Sequence, residues 1–184
     1  MGVLLFLLQL LWLCLPGALA NMAPVLLKNH FSVLAVPIDL GKKWRGKPIF
    51  GSHKTFRGFL FGTLAGVIIG TLQGVLYHNF EVFRTISVVD FDVFPGWLLG
   101  LLMGFGALFG DAVKSLIKRR LSVAPGKPFF PWDQLDAYFG AILFVLPFVP
   151  LPLDIVIGGV IFVPCFHIIS NTVGYLLGLK KSII

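Results

Sequence analysis

Apolar residues fill five stretches of the chain, at about 2–20, 56–78, 95–117, 135–153 and 155–178, and most charged residues are gathered between them. Crossing a hydrocarbon layer of about 30 Å takes roughly 20 apolar residues in a helix. The pattern therefore predicts an all-α integral membrane protein of five transmembrane helices, with 1–184 forming a single transmembrane domain and the last two spans joined by a short turn near Pro152 and Asp154. The first stretch has two features of a cleaved leader: small residues at Ala18-Leu19-Ala20 and a potential helix break at Pro16-Gly17. No Lys or Arg precedes it, however, whereas a secretory signal carries a positive n-region, so it is predicted as a retained span.

Glycine recurs every fourth residue in the second span, at 58, 62, 66, 70 and 74, and in the third at 96, 100 and 104, followed by 106 and 110. Lipid tails supply no hydrophobic drive for helix pairing, so small-residue stripes act by letting backbones approach closely. These two spans are predicted to pack tightly. Between the first two spans, "NHFSVLAVPIDLGKKWRGKPIFGSHKTFRG" (29–58) mixes Pro, Gly, aromatic and basic residues, and Pro37 and Pro48 argue against one continuous helix. It reads as a folded loop against the membrane, with Trp44 and Phe50 at headgroup level.

Composition agrees with the hydropathy pattern: 57% of residues are hydrophobic, 12% are charged and the mean hydropathy is +0.93. The charge distribution adds an orientation. Lys28, Lys42, Lys43, Arg45, Lys47, Lys54 and Arg57 fall between spans one and two, Lys114, Lys118, Arg119, Arg120 and Lys127 about the junction of spans three and four, and Lys180 and Lys181 at the end. Arg84 alone shares its loop with Glu81, Asp90 and Asp92. By the positive-inside rule the N-terminus is outside, and the two basic loops and the C-terminus are cytoplasmic. The net charge of +7 thus belongs to one membrane face, which suits anionic membrane lipids and gives no reason to expect nucleic acid as a partner. Cys14 and Cys165 lie in apolar spans and suggest neither a disulfide framework nor a metal cluster.

The remaining charges suggest chemistry. In "GDAVKSLIKRRLSVAPGKPFFPWDQLD" (110–136), Asp111 closes an apolar run, with Lys114, Ser115 and Lys118 on the same helical face. Asp133 and Asp136 stand in the first turn of span four. A carboxylate at membrane depth is costly and marks a functional site by default. Antiparallel spans three and four would bring the three aspartates together beside five cations. An all-oxygen set suits Mg²⁺, with phosphate oxygens completing its shell, and nearby Lys and Arg would bind the remaining phosphate oxygens. Such a site fits phosphoryl or nucleotidyl transfer. Gly51, Lys54, Thr55, Arg57 and Gly58 form a second phosphate-binding set at a helix start. They are not a Walker motif, because Ser52 and His53 separate Gly51 from Lys54. His30, His53, His78 and His167 form no metal-ligand set.

"GDAVKSLIKRR", "PGKP" and "PWDQLD" resemble the C-terminal signature of the membrane cytidylyltransferases that make CDP-activated lipids, above all the archaeal branch of CDP-archaeol synthases. The likeness extends to "NMAPVL" and "PIDLGKKWRGKPIFGSHKTFRG". Lys127-Pro128 after Pro125-Gly126, and Gln134 after Asp133, depart from the endings of the CDP-diacylglycerol synthases and favour the short archaeal branch over phosphatidic acid as substrate. The resemblance implies Mg²⁺-dependent transfer of CMP from CTP to unsaturated archaetidic acid, an ether-lipid phosphate. It gives Asp111, Asp133 and Asp136 to the metal and, with Lys118, to catalysis. It gives Lys54, Thr55, Arg57, Ser115, Lys118, Arg119 and Asp39 to the nucleotide, and Lys114 and Ser115 to the lipid phosphate.

Three other readings compete. A transporter or channel would need polar residues along several spans, and Gln73 with a few Ser and Thr are nearly all the span centres hold. A structural lipid-binding protein would have no use for the aspartates. A synthase that consumes a CDP-lipid would carry a longer Asp-Gly, Ala-Arg, Gly and Asp series, which is absent.

Overall fold

The structure is a computed structural model that describes residues 2–27, 29–124 and 127–176. Lys28, Pro125, Gly126, Lys180, Lys181 and the end of the fifth expected span lie outside the described residues. Among the described residues six α-helices follow one another: α1 (Val3–Leu26), α2 (Phe56–Asn79), α3 (Glu81–Ile86), α4 (Gly96–Arg120), α5 (Trp132–Val145) and α6 (Leu153–Leu176). α1, α2 and α4 are each long and apolar enough to cross a membrane.

Three boundaries differ from the sequence expectation. α1 passes through Pro16-Gly17 without a break and continues to Leu26. α5 stops at Val145, where Pro147, Pro150 and Pro152 follow, so its 14 residues extend only about 21 Å at 1.5 Å per residue. The connection to α6 is consequently longer than the predicted turn. α3 lies in the acidic loop, where no helix was expected. It docks on α1 through the Trp12 indole, which donates to Ser87 Oγ at 2.9 Å and stacks on Phe83.

Glycine determines which helices touch. Gly66 and Gly70 of α2 lie against Gly96, Gly100 and Gly104 of α4; a Cβ added at Gly66 would come within 2.6 Å of the Gly100 carbonyl oxygen. The two-residue step from Gly104 to Gly106 turns the next small positions to another side of α4. There Gly106 and Gly110 receive Gly140 and the Asp136 backbone of α5, and a Cβ at Gly106 would lie 2.6 Å from the Gly140 oxygen. One helix thus offers one glycine face to α2 and another to α5. Gly110→Ala is expected to push the first turn of α5 away from α4 and cost about 1–3 kcal/mol. Gly74→Ala, whose added Cβ would make only ordinary contacts from 3.6 Å outward, is expected to be near-neutral. Thermal unfolding in detergent checks both.

Interhelical polar contacts supplement this packing. The buried Gln73 amide donates to the Trp12 carbonyl at 2.6 Å, and the Tyr138 hydroxyl donates to the Val156 carbonyl at 2.8 Å. The antiparallel order of α1, α2, α4 and α5 gathers the α1 and α4 C-termini with the α2 and α5 N-termini at one end.

Candidate active site

The charged end is organised by two clamps. The first is the 39–51 loop. Its hairpin pairs β1 (Lys43–Trp44) with β2 (Lys47–Pro48) through a two-residue turn at Arg45-Gly46, both residues having positive φ. Asp39 is buried and accepts from the backbone N–H groups of Gly41, Phe50 and Gly51 at 2.9, 2.9 and 3.1 Å.

Burial alone would raise the Asp39 pKa, but these backbone donors hold its carboxyl below the usual carboxylate range. A depressed folded-state pKa means that the stabilisation is fully present above the unfolded pKa and is lost as pH falls through the folded one. Asp39→Asn is therefore expected to lower the protection of the Phe50 and Gly51 amides at neutral pH, and acid is expected to lower it in the unmodified protein; hydrogen exchange referred to the intrinsic rate at each pH checks both. Arg120 fixes the hairpin from the other side, donating to the carbonyls of Trp44, Lys47 and Pro48 with its guanidinium 5.0 Å from the Trp44 ring centroid.

The second clamp is Lys118. Its buried ammonium donates to the Lys127 carbonyl at 2.6 Å and to Asp133 at 3.2 and 3.3 Å, while Asp133 Oδ2 accepts from Phe129 N–H at 2.6 Å. The loop between α4 and α5 is thereby tied to both helices.

Between the clamps, three aspartates surround one ammonium. Lys114 Nζ lies 3.2 Å from Asp111 Oδ1, 3.2 Å from Asp133 Oδ1 and 2.6 Å from Asp136 Oδ2. Lys54 pairs with the other oxygen of Asp111. The close approach of α5 at Gly106 and Gly110 makes this convergence possible. Three carboxylates thus face the ammonium groups of Lys54, Lys114 and Lys118 and are locally balanced. Among the described residues no three His, Cys, Asp or Glu side chains stand in a metal-holding arrangement; the Lys114 ammonium occupies the space between the three aspartates. The oxygens it gathers are nevertheless the hard donors that suit Mg²⁺.

Three cavities meet here. An apolar groove of about 460 Å³ between α4 and α5 is walled by Phe109, Ile117, Trp132, Phe139 and Leu143, with Lys114 and Asp136 as its charged residues. A polar cavity of about 310 Å³ on the other side is lined by Gly51, His53, Lys54, Asp111, Ser115 and Arg119 among others, and it too reaches Lys114. A third, of about 450 Å³, contains Asn21, Thr55 and Arg57 and shares Ser52, His53, Lys54 and Asp111 with the second. Lys114 is therefore common to the groove and a polar cavity, and Lys54 and Asp111 to both polar cavities.

The matches to known proteins cover almost the whole chain. Residues 3–183 match the family model described as CDP-archaeol synthase, CarS-like. The chain belongs to the CDP-archaeol synthase family. A CDP-archaeol synthase of Methanococcus aeolicus is 36% identical over 167 residues, covering 90% of each chain. Another, of Methanocaldococcus jannaschii, is 35% identical over 171 residues, covering 92% of this chain and 93% of the relative. A solved structure described as an intramembrane enzyme for archaeal membrane lipids biosynthesis superposes with a TM-score of 0.71 at 27% identity, covering 88% of this chain and 92% of its own. Membership of the CDP-archaeol synthase family makes the chain an enzyme, a nucleotidyltransferase of membrane-lipid biosynthesis, and removes the transporter and structural readings.

Of the residues singled out from sequence, Asp111, Lys114, Asp133 and Asp136 meet directly, and Lys54 and Lys118 pair with them. Ser115 and Arg119 line the smaller polar cavity, and Arg57 lines the larger. Ser115 donates to the Asp111 carbonyl at 2.9 Å. Thr55 caps α2 by accepting from Gly58 N–H at 3.2 Å, and Asp39 holds the loop, so the observed contacts of both are internal. The hold of Arg120 on the hairpin and the residues that wall the groove escaped the sequence reading. The groove's signal was the i, i+4, i+8 spacing of Phe109, Val113 and Ile117, which resembles any lipid-facing helix.

Proposed function

We propose that the protein transfers CMP from CTP to the phosphate of an unsaturated archaeal ether lipid, giving CDP-archaeol and pyrophosphate, with Mg²⁺ as cofactor. The observation that carries this reading is the position of the aspartate cluster between an apolar groove and polar cavities. A lipid phosphate whose tails lie in the groove reaches the same residues as a nucleotide held in the polar space. The five-span topology, with the charged end at the cytoplasmic face, is part of the proposal and is supported by the distribution of cations.

Asp111, Asp133 and Asp136 would hold Mg²⁺, which when bound neutralises charge on the nucleotide phosphates. Lys54, Arg57 and Arg119 would bind the triphosphate and leaving pyrophosphate. Ser115, which lines the smaller polar cavity, would contact the phosphates there, and Lys114 would receive the lipid phosphate. Lys118 and Asp39 act as positioning residues, through Asp133 and the 39–51 loop. The attacking phosphate oxygen is already ionised, so the protein's task is to align it with the α-phosphorus of CTP; no general base or covalent intermediate is required. The P–O bond to the pyrophosphate group breaks as the new P–O–P link to the lipid forms.

The groove provides a selective test. Leu143→Trp is expected to raise the KM for the lipid by about tenfold, the effect of losing roughly 1.4 kcal/mol, with the KM for CTP unchanged. Steady-state kinetics with the geranylgeranyl-ether phosphate and with phosphatidic acid would check this and compare the two lipids; an unchanged lipid KM would place the tails elsewhere.

A further inference from the structure

We infer that Lys114 and the divalent cation are alternate occupants of one position, so that arrival of the metal transfers the Lys114 ammonium from the aspartates to the lipid phosphate. This rests on the reading proposed above for the three aspartates. A single ammonium lies within 3.2 Å of carboxylate oxygens from Asp111, Asp133 and Asp136, on two different helices. A cation bound by those same oxygens would take the space that the ammonium fills, and like charges at such separation repel strongly.

The direction of departure follows from the cavities. Lys114 borders both the smaller polar cavity and the apolar groove. In the polar cavity it would meet Lys54, Lys118 and Arg119 beside the single carboxylate of Asp111, whereas in the groove its charged neighbour is Asp136. An ammonium displaced by the metal is therefore repelled less towards the groove, where a lipid phosphate would pair with it. The exchange makes metal-nucleotide binding favour lipid binding: the ammonium is released to the second substrate only when the first is in place. Before the metal binds, Lys114 also offsets the repulsion among three carboxylates held together in a largely buried site.

The test is Mn²⁺ binding by full-length protein in detergent, without lipid or nucleotide, followed by electron paramagnetic resonance. Lys114→Gln is expected to bind Mn²⁺ at least tenfold more tightly than the unmodified protein, because no ammonium has to be displaced. Lys114→Arg, which retains the cation, is expected to bind no more tightly than the unmodified protein and serves as a second variant should Lys114→Gln fold poorly. Equal or weaker binding by folded Lys114→Gln would overturn the exchange. So would tighter binding by Lys114→Arg. Absence of bound Mn²⁺ in all three proteins would overturn both the exchange and the metal assignment, while CTP- and lipid-dependent turnover of the unmodified protein would show separately whether the catalytic reading stands.

Discussion

Asp133→Asn is expected to lower kcat by about a thousandfold while leaving the protein folded, an effect of the size seen when one preorganised electrostatic group is removed from an active site. Asp133 combines two tasks. Its Oδ1 faces both Lys114 and Lys118, and its Oδ2 accepts from Phe129 N–H. The amide would keep a similar shape and one acceptor oxygen, but it would remove a charge from the proposed metal site and weaken the tie to Lys118. Turnover measured over a range of Mg²⁺ concentrations separates these effects: a defect relieved by high Mg²⁺ indicates weakened metal binding, and one that is not indicates misplacement of the α5 start. Turnover equal to that of the unmodified protein would remove Asp133 from the site.

Lys54→Met is expected to reduce kcat/KM for CTP by about a hundredfold or more. Lys54 pairs with Asp111 and borders both polar cavities, so it connects the loop before α2 to α4. Breaking a largely buried ion pair by removing one partner costs about 3–5 kcal/mol, mainly because the remaining charge is left uncompensated. The loss should appear in the CTP parameters, with a smaller change in the KM for the lipid, since Lys54 does not line the apolar groove. Steady-state kinetics with each substrate varied in turn checks this. An equal loss for both substrates would instead indicate a general collapse of the aspartate cluster.

The sequence made the strongly periodic parts of this architecture legible. Apolar runs marked α1, α2 and α4, and the glycines of α2 and α4 identified a tight pair. Asp111, Asp133 and Asp136 could be grouped because antiparallel helices joined by a short loop must bring their ends together. Less could be read where geometry depends on side-chain choice. Lys118 was expected to meet phosphate, yet its ammonium turns to Lys127 and Asp133, a contact between residues whose proximity depends on the fold of the intervening loop. The role of Arg120 depends likewise on a hairpin more than 70 residues away in sequence. The end of α5 was placed too late because the apolar run continues through 146–153, although three prolines interrupt it. Hydropathy reports burial in apolar surroundings, whereas helix termination depends on the backbone.

The most direct test of the account is transfer of label from CTP carrying a labelled α-phosphorus, in detergent with Mg²⁺ and the geranylgeranyl-ether lipid phosphate. The label should move into a lipid-soluble product with the mass of a CDP-lipid, with one pyrophosphate released for each product formed and no transfer when the lipid is omitted. Failure of folded protein to transfer label to any lipid phosphate, or appearance of the label only in a water-soluble product, would contradict the proposed reaction.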